Sequence, residues 1–287
     1  MSEFKIIECP RDAMQGLESF VPTELKVEYI NLLLKCGFDT LDFGSFVSPK
    51  AIPQMKDTAF VLEKLERNSP TKLLAIVANE KGAETALSFS EIHYLGYPFS
   101  ISEVFQMRNT NATIQESLRR VERIQNLALK KNKKLVVYLS MGFGNPYGEP
   151  WSPELVLNWS KKLAEEIGIR TLALSDTIGC AKTDVVTTLF DLFSRELPKI
   201  EVGAHFHTRS ETAEELILAA YNSGCRRFDT AIRGFGGCPM AKDDLTGNLP
   251  TEVLLNWLES CKINHSIDKK NFTTAFDFSS RIFETSH

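Results

Sequence analysis

The 287-residue chain predicts an α/β fold, a single (β/α)8 TIM barrel over about residues 4–262 with a C-terminal helical extension over about 263–287. Three observations predict it. Short apolar runs alternate with longer amphipathic stretches, and the alternation repeats eight times. Polar residues able to do chemistry recur where the apolar runs end, which is the catalytic rim of such a barrel. One of those ends reads Val202-Gly203-Ala204-His205-Phe206-His207. An open doubly wound sheet also alternates strand and helix, but it does not usually need eight units in about 260 residues.

Taken in order, residues 4–9 form the first strand, with a loop over 10–21. A helix over 22–36 sets Leu25, Tyr29, Leu32 and Leu33 on one side, and Gly37 ends it. The second strand spans 38–43 and its helix 54–67, stopped by Asn68-Ser69-Pro70. Residues 72–77 and 91–95 give strands three and four, with helices over 80–87 and 114–131. The fifth strand covers 135–140, and Ser152-Pro153 opens the next helix as N-cap and first residue. Strands over 171–174, 200–206 and 226–229 follow, with helices over 183–194, 211–223 and 251–261. A last helix within 267–283 lies on the barrel.

A hydrophobic share of 43% is enough for one large core at this length. The formal charge of −4, with no basic block, argues against a nucleic-acid partner. No apolar run reaches membrane-spanning length and no signal-peptide core is present, so no membrane partner is expected. The terminal Glu284-Thr285-Ser286-His287 is not a peroxisomal address. Cys9, Cys36, Cys180, Cys225, Cys238 and Cys261 include no Cys-x-x-Cys, which fits reduced thiols in a cytoplasmic protein.

In a strand, His205 and His207 share one face, ~6.5 Å apart along the chain, and two imidazoles so placed can hold one divalent cation. Alternatively one caps a hydrogen-bond network and the other packs. The barrel decides which other groups join them: Arg11-Asp12 after strand one, Asp42 ending strand two and Ser140 ending strand five. Ser175-Asp176-Thr177 ends strand six, and Arg233 to Pro239 and Gly247-Asn248-Leu249 follow strand eight. Asp12, His205, His207 and Asn248 make a carboxylate, two-imidazole and amide set suited to Mn²⁺, Mg²⁺ or Zn²⁺. Each member also has a plain reading: Arg11-Asp12 as a solvated pair, Asp176 as a turn cap, Asn248 as a turn residue, Cys238 as an inert thiol. Their convergence on one barrel mouth weighs against all the plain readings together.

Arg11-Asp12-Ala13-Met14-Gln15 resembles the Arg-Asp-Gly-x-Gln motif of the metal-dependent acyl lyases and Claisen-condensing enzymes. Within that superfamily, six strings resemble the hydroxymethylglutaryl-CoA lyase family, in order along nearly the whole chain. They are Ser45 to Lys50, Ile52 to Met55, Asp176 to Gly179, His205-Phe206-His207, Gly234 to Pro239, and Gly247-Asn248-Leu249. The resemblance implies cleavage of 3-hydroxy-3-methylglutaryl-CoA to acetyl-CoA and acetoacetate, the chemistry of leucine breakdown, with Mg²⁺ or Mn²⁺ as cofactor. Asp12, His205, His207 and Asn248 would be the metal ligands, and Arg11 would stabilise the enolate. Cys238 would sit on a loop closing over an acyl-CoA substrate. Asp42 stands where the family has glutamate, and Asp176 matches its second acidic residue. Asp42, Asp176 and a metal-bound histidine are all open as the general base. Family members are often dimers, so a homodimer is implied as well.

Four departures accompany the match: Ala13 for the motif glycine, Asp42 for glutamate, Thr208 to Glu211 for Asp-Thr-Tyr-Gly, and Arg233 for a small residue. All are expected around the pocket. A carboxylate one methylene shorter moves by ~1 Å, a displacement that can cost ~100-fold in rate. The rival readings are a related lyase or a Claisen-type synthase of this superfamily acting on another 3-hydroxyacyl-CoA or 2-oxo acid. Synthases generally carry a further C-terminal region, which favours the lyase. Zinc hydrolases place His-x-His on the first strand rather than the seventh. A non-catalytic ligand-binding barrel would be expected to have lost ligands that this chain keeps.

Overall fold

The computed structural model describes residues 4–237 and 246–283. Eight parallel strands close in chain order, and the first also pairs with the eighth, Lys5 opposite Arg227 and Glu8 opposite Thr230. β1 (Lys5–Glu8) leads into α1 (Pro10–Gln15) and α2 (Thr23–Leu34). β2 (Thr40–Ser45) is followed by α3 (Thr58–Glu63), and β3 (Lys72–Ile76) by α4 (Glu80–Leu87). β4 (Ile92–Ser100) precedes α5 (Glu103–Thr110) and α6 (Ile114–Lys130), and β5 (Lys134–Ser140) precedes α7 (Pro153–Lys161). The order finishes with β6 (Thr171–Asp176), α8 (Thr183–Glu196), β7 (Glu201–Phe206), α9 (Ser210–Asn222), β8 (Arg227–Thr230), α10 (Thr251–Ser260) and α11 (Lys269–Phe283).

The barrel and the C-terminal helix agree with the sequence reading, and Ser152 caps α7 by accepting from the Leu155 N–H. Several boundaries do not. The expected loop over 10–21 contains α1, a six-residue helix too short to show an amphipathic period, with Pro10 pre-setting its first turn. Asp42 does not end its strand: β2 runs two residues later than expected, with a register shift between Asp42 and Gly44. The fourth strand, expected over 91–95, runs on through Gly96 and Pro98 to Ser100. α5, capped by Ser102, had no counterpart in the sequence reading. The helix expected over 54–67 is a single helical turn, Pro53–Met55, and then the short α3.

Apolar side chains fill two compartments. The larger lies between the strands and the surrounding helices, and a smaller one inside the barrel holds Leu74, Ile76, Tyr94, Val136, Tyr138 and Ala173. The interior also takes charged residues. Arg227 is 2% exposed, and its stem crosses the Cα of Gly203, where a Cβ would lie 2.8 Å from the Arg227 Cδ. A glycine there is what admits the arginine. α11 packs on α2, with Phe283 stacked on Phe235 at 4.3 Å between ring centroids.

Two polar contacts brace this frame. Lys26, 2% exposed on α2, donates to the Asp57 carboxylate at 2.7 Å and to the Gln54 carbonyl. Removing one member of a buried pair leaves the other charge uncompensated. Asp57→Ala is therefore expected to cost about 3 kcal/mol of stability, read as a shift in the urea unfolding midpoint. Glu8 accepts from the Thr251 hydroxyl at 2.6 Å and the Ile232 N–H at 2.8 Å, tying β1 to the segment after β8 and to α10. Burial pushes its carboxyl up to about 8 against these hydrogen bonds. An acid raised in the folded state stabilises below its unfolded value near 4.5 and loses that contribution as pH climbs through about 8. Glu8→Gln is expected to flatten the fall in melting temperature between pH 5 and pH 8.

Candidate metal and acyl-binding site

α1 starts two residues after β1, so Arg11 and Asp12 emerge from its first turn at the mouth of the barrel. Asp42 comes up beside them from β2. The Arg11 guanidinium is wedged between two carboxylates. Its Nε donates to both Asp42 oxygens at 3.2 and 3.0 Å, and Nη2 donates to the same group. Nη1 donates to Asp12 Oδ1 at 2.8 Å and to Gln15 Oε1 at 2.9 Å. Of the five guanidinium hydrogens, these contacts leave one on Nη2. Gln15 closes the ring by donating to Asp12 Oδ1 at 2.7 Å.

β7 delivers the histidines on one inward face, ring centroids 5.3 Å apart. The segment 247–249 threads between the ends of β7 and β8. Thr208 N–H donates to the Gly247 carbonyl, Leu249 N–H to the Phe206 carbonyl, and Ala231 N–H to the Leu249 carbonyl. Asn248 is thereby set against Asp12, its Nδ2 donating to Asp12 Oδ2 at 2.8 Å and to the Phe235 carbonyl at 2.9 Å. Gly236, at φ +106°, passes so close that a Cβ would lie 2.5 Å from this amide nitrogen. The glycines of this turn thus allow the chain to close over α1 and Asn248.

Asp12, His205 and His207 each offer a ligand atom within 4.8 Å of the others, and His207 Nε2 stands 4.0 Å from Asp12 Oδ2. His207 Nδ1 faces the Thr177 carbonyl at 3.2 Å, while its buried Nε2 has no hydrogen-bond partner among the described residues. An imidazole whose Nδ1–H is engaged presents an Nε2 lone pair. Burial and His205 push His207 down to about 4, so the ring is neutral, as a ligand must be. Burial pushes the Asp12 carboxyl up, but Arg11, both imidazoles and Asn248 outweigh it and hold the group below the usual carboxylate range. An ionised carboxylate beside an orphaned neutral imidazole fits a divalent cation. Cys9, His205 and Asp229 form a second close triad below it. Burial drives the Cys9 thiol well up, so it offers no thiolate there.

Arg11, Asp12, Gln15, His205 and His207 line the inner end of a cavity of about 550 Å³, with Tyr138, Ser140, Ser175 and Thr177 around them; Asn248 stands behind Asp12 and is not in the lining. Its other side includes Asn79, Glu80, Arg108, Asn109, Asn111 and Arg120; Glu80 is ion-paired with Arg123, and the two arginines outnumber the one carboxylate.

Asp42 and Asp176 are not among the residues lining the cavity. Asp42 is wholly buried against Arg11; burial pushes its carboxyl up against that pull. Asp176 accepts from the N–H groups of Cys180 at 2.9 Å and Ala181 at 3.0 Å, capping the turn after β6, and burial raises it to about 6. Cys238 lies outside the described residues. The departures are also less pocket-centred than expected. Ala13 belongs to the core, and the Thr208 hydroxyl pairs with Thr212. Arg233, at φ 63°, turns away to bond Ser279 and lie 4.4 Å over Phe276. Asp42 does engage a cavity residue, Arg11. Sequence reasoning missed Asp229, which lies 3.4 Å from His205 Nδ1; its signal is the charge, aspartate opposite a histidine on the paired strand. It also missed Tyr138, edge-on to His205 at 5.5 Å.

A carboxylate and two imidazoles at the mouth of a (β/α)8 barrel, beside a fixed guanidinium and a cavity, are the kind of set that metal-assisted barrel enzymes use. A family model described as HMGL-like matches residues 4–278. The chain is 32% identical over 277 residues to the cytoplasmic 3-hydroxy-3-methylglutaryl-CoA lyase of Rattus norvegicus, covering 96% of this chain and 79% of that one. It is 33% identical over 266 residues to the hydroxymethylglutaryl-CoA lyase of Bacillus subtilis, covering 93% and 88%. The solved HMG-CoA lyase from Brucella melitensis superposes with a TM-score of 0.91 at 29% identity, over 99% of this chain and all of that one. An HMG-CoA lyase from Acinetobacter baumannii, solved with coenzyme A and 3-methylmalate, gives 0.89 at 30% identity, over 98% and 91%. The chain belongs to the HMGL-like family.

Replacing Asp12 or His207 with alanine is expected to weaken Mn²⁺ binding by more than about 100-fold, beyond the loss typical of a ligand's supporting partner. Titration calorimetry reads this directly, with near-UV dichroism checking that the fold is kept.

Proposed function

We propose that this protein cleaves 3-hydroxy-3-methylglutaryl-CoA to acetyl-CoA and acetoacetate, using Mg²⁺ or Mn²⁺ held by Asp12, His205 and His207 with Asn248. The observation that carries the reading is the single uncommitted Nη2 hydrogen of Arg11, fixed beside Asp12 and the two imidazoles at the inner end of the cavity. When bound, the cation supplies a Lewis acid that makes the substrate's 3-hydroxyl easier to deprotonate.

The remaining work falls to side chains. A base takes the hydroxyl proton, the C2–C3 bond breaks, and its electron pair moves onto the thioester as an enolate, leaving C3 as the ketone of acetoacetate. Arg11 donates to the enolate oxygen, and its rigid cradle means little reorganisation as charge develops. Protonation of the enolate carbon gives acetyl-CoA. With both imidazoles giving Nε2 to the cation and Nδ1–H to Thr177 and Asp229, Asp12 is the group at this end of the cavity that keeps oxygen lone pairs to take the proton. Asp42 then acts by holding Arg11, and Asp176 by shaping the turn after β6. Cys238 is proposed as the thiol of a closing loop that takes part in enolate protonation.

Arg108 and Arg120, on the far side of the cavity, match the phosphates of a coenzyme A thioester. We place the reaction in the cytoplasm by analogy with the cytoplasmic relative from Rattus norvegicus; a homodimer is proposed on family grounds.

The decisive assay measures acetyl-CoA released by EDTA-stripped protein with and without added Mg²⁺ or Mn²⁺. Metal-restored cleavage is expected. No cleavage by folded, metal-binding protein would overturn the substrate assignment in favour of another 3-hydroxyacyl-CoA. Cys238→Ser is expected to lower kcat while Mn²⁺ affinity stays unchanged. Arg108→Ala is expected to raise KM several-fold with little change in kcat, as loss of uniform binding does.

A further inference from the structure

We propose that Asp229 is a positioning residue for His205, and that Arg227 below it holds Asp229 in place. The three form a column up the barrel interior, from its lower end to the cation site. The proposal rests on the reading of Asp12, His205 and His207 as that site.

The column follows from strand register. β7 and β8 are parallel, with His205 opposite Asp229. Side chains two apart on a strand share a face, so Arg227 and Asp229 both point inward beside Gly203 and His205. Asp229 Oδ2 lies 3.4 Å from His205 Nδ1, and Asp229 Oδ1 lies 3.7 Å from Arg227 Nη2. All three residues are buried. Tyr138 meets the His205 ring edge-on, limiting its rotation from the side.

The consequence is a choice of tautomer. A carboxylate that accepts the Nδ1–H of an imidazole leaves Nε2 as the lone-pair nitrogen, and such partners tune how well the ring ligates a metal. With a neutral amide in place of the carboxylate, the preference for Nδ1–H weakens and Nε2 can carry the proton, which removes it as a ligand. Arg227 makes no direct hydrogen bond to Asp229 at 3.7 Å. Its charge offsets that of a carboxylate otherwise set in an apolar interior, and its stem occupies the space left open at Gly203.

The test uses the full chain, metal-free, as wild type, Asp229→Asn, Arg227→Met and His207→Ala. Mn²⁺ affinity is measured by calorimetry, and the His205 tautomer by NMR of protein labelled with ¹⁵N at histidine. Melting temperatures confirm that each variant is folded. Asp229→Asn is expected to weaken Mn²⁺ binding by about 10- to 100-fold and, in the neutral His205 ring, to raise the Nε2–H tautomer relative to Nδ1–H. Arg227→Met is expected to move both readouts the same way by a smaller factor. Folded Asp229→Asn protein that binds Mn²⁺ within twofold of wild type, or keeps the His205 tautomer unchanged, overturns the proposal. If His207→Ala loses Mn²⁺ while Asp229→Asn does not, the column fails and the cation site stands. Wild-type protein that binds no Mn²⁺ overturns both. Should Asp229→Asn fail to fold, Arg227→Met decides: at least threefold weaker binding supports the column, and unchanged binding refutes it.

Discussion

The guanidinium of Arg11, held between the carboxylates of Asp42 and Asp12, is the interaction on which the site depends. It sits at the seam between β2 and α1, and its five hydrogens are divided so that four point into protein and one is left for a ligand. A guanidinium free to swing would lower the energy of substrate and transition state alike. One whose geometry is set in advance favours the developing charge. The same contacts keep Asp12 ionised in a buried position where burial alone would push its carboxyl up.

Charge bookkeeping around this pair explains why a dication fits. Asp12, Asp42 and Asp229 bring three formal negative charges into the upper barrel and Arg11 and Arg227 two positive ones, while Asp229 and Asp12 pull His205 toward its charged form against burial. Burial and His205 keep the His207 ring neutral. A buried imidazole nitrogen with no partner among the described residues, beside an ionised carboxylate, is costly as it stands and is relieved by a bound cation. The cationic side of the cavity at Arg108 and Arg120 is formed by other elements, so the two charge patterns do not cancel each other.

The barrel was legible because its strands are short apolar runs of regular spacing, and the site because its residues fall at strand ends. What the sequence hid has physical reasons. α1 is shorter than two helical turns, so no apolar stripe betrays it. The fourth strand runs past its expected end because residue type does not say what a closed barrel packs inside, where Gly96 leaves room for the side chains of Ile76, Leu74 and Tyr138. Asp176 and Asp42 looked alike as acids near strand ends, yet one caps a turn and the other grips an arginine, a difference that lies in three-dimensional partners. Arg233 looked like a change in the pocket because its backbone is near the site, whereas its side chain reaches α11.

Gly203 and Arg227 illustrate a wider property of this interior. The glycine lends its missing volume to the arginine, so neither position has an independent set of acceptable residues. A side chain introduced at 203 must displace the stem lying 2.8 Å away, and shortening 227 alone would open a void beside a lone charge. Large changes of volume at these two sites should therefore be tolerated as matched pairs and rejected singly, whereas a long, unbranched side chain at 227 still fills the space. Evolutionary drift in the barrel interior would then proceed by coupled steps, and related chains should differ there by trading bulk between neighbouring strands.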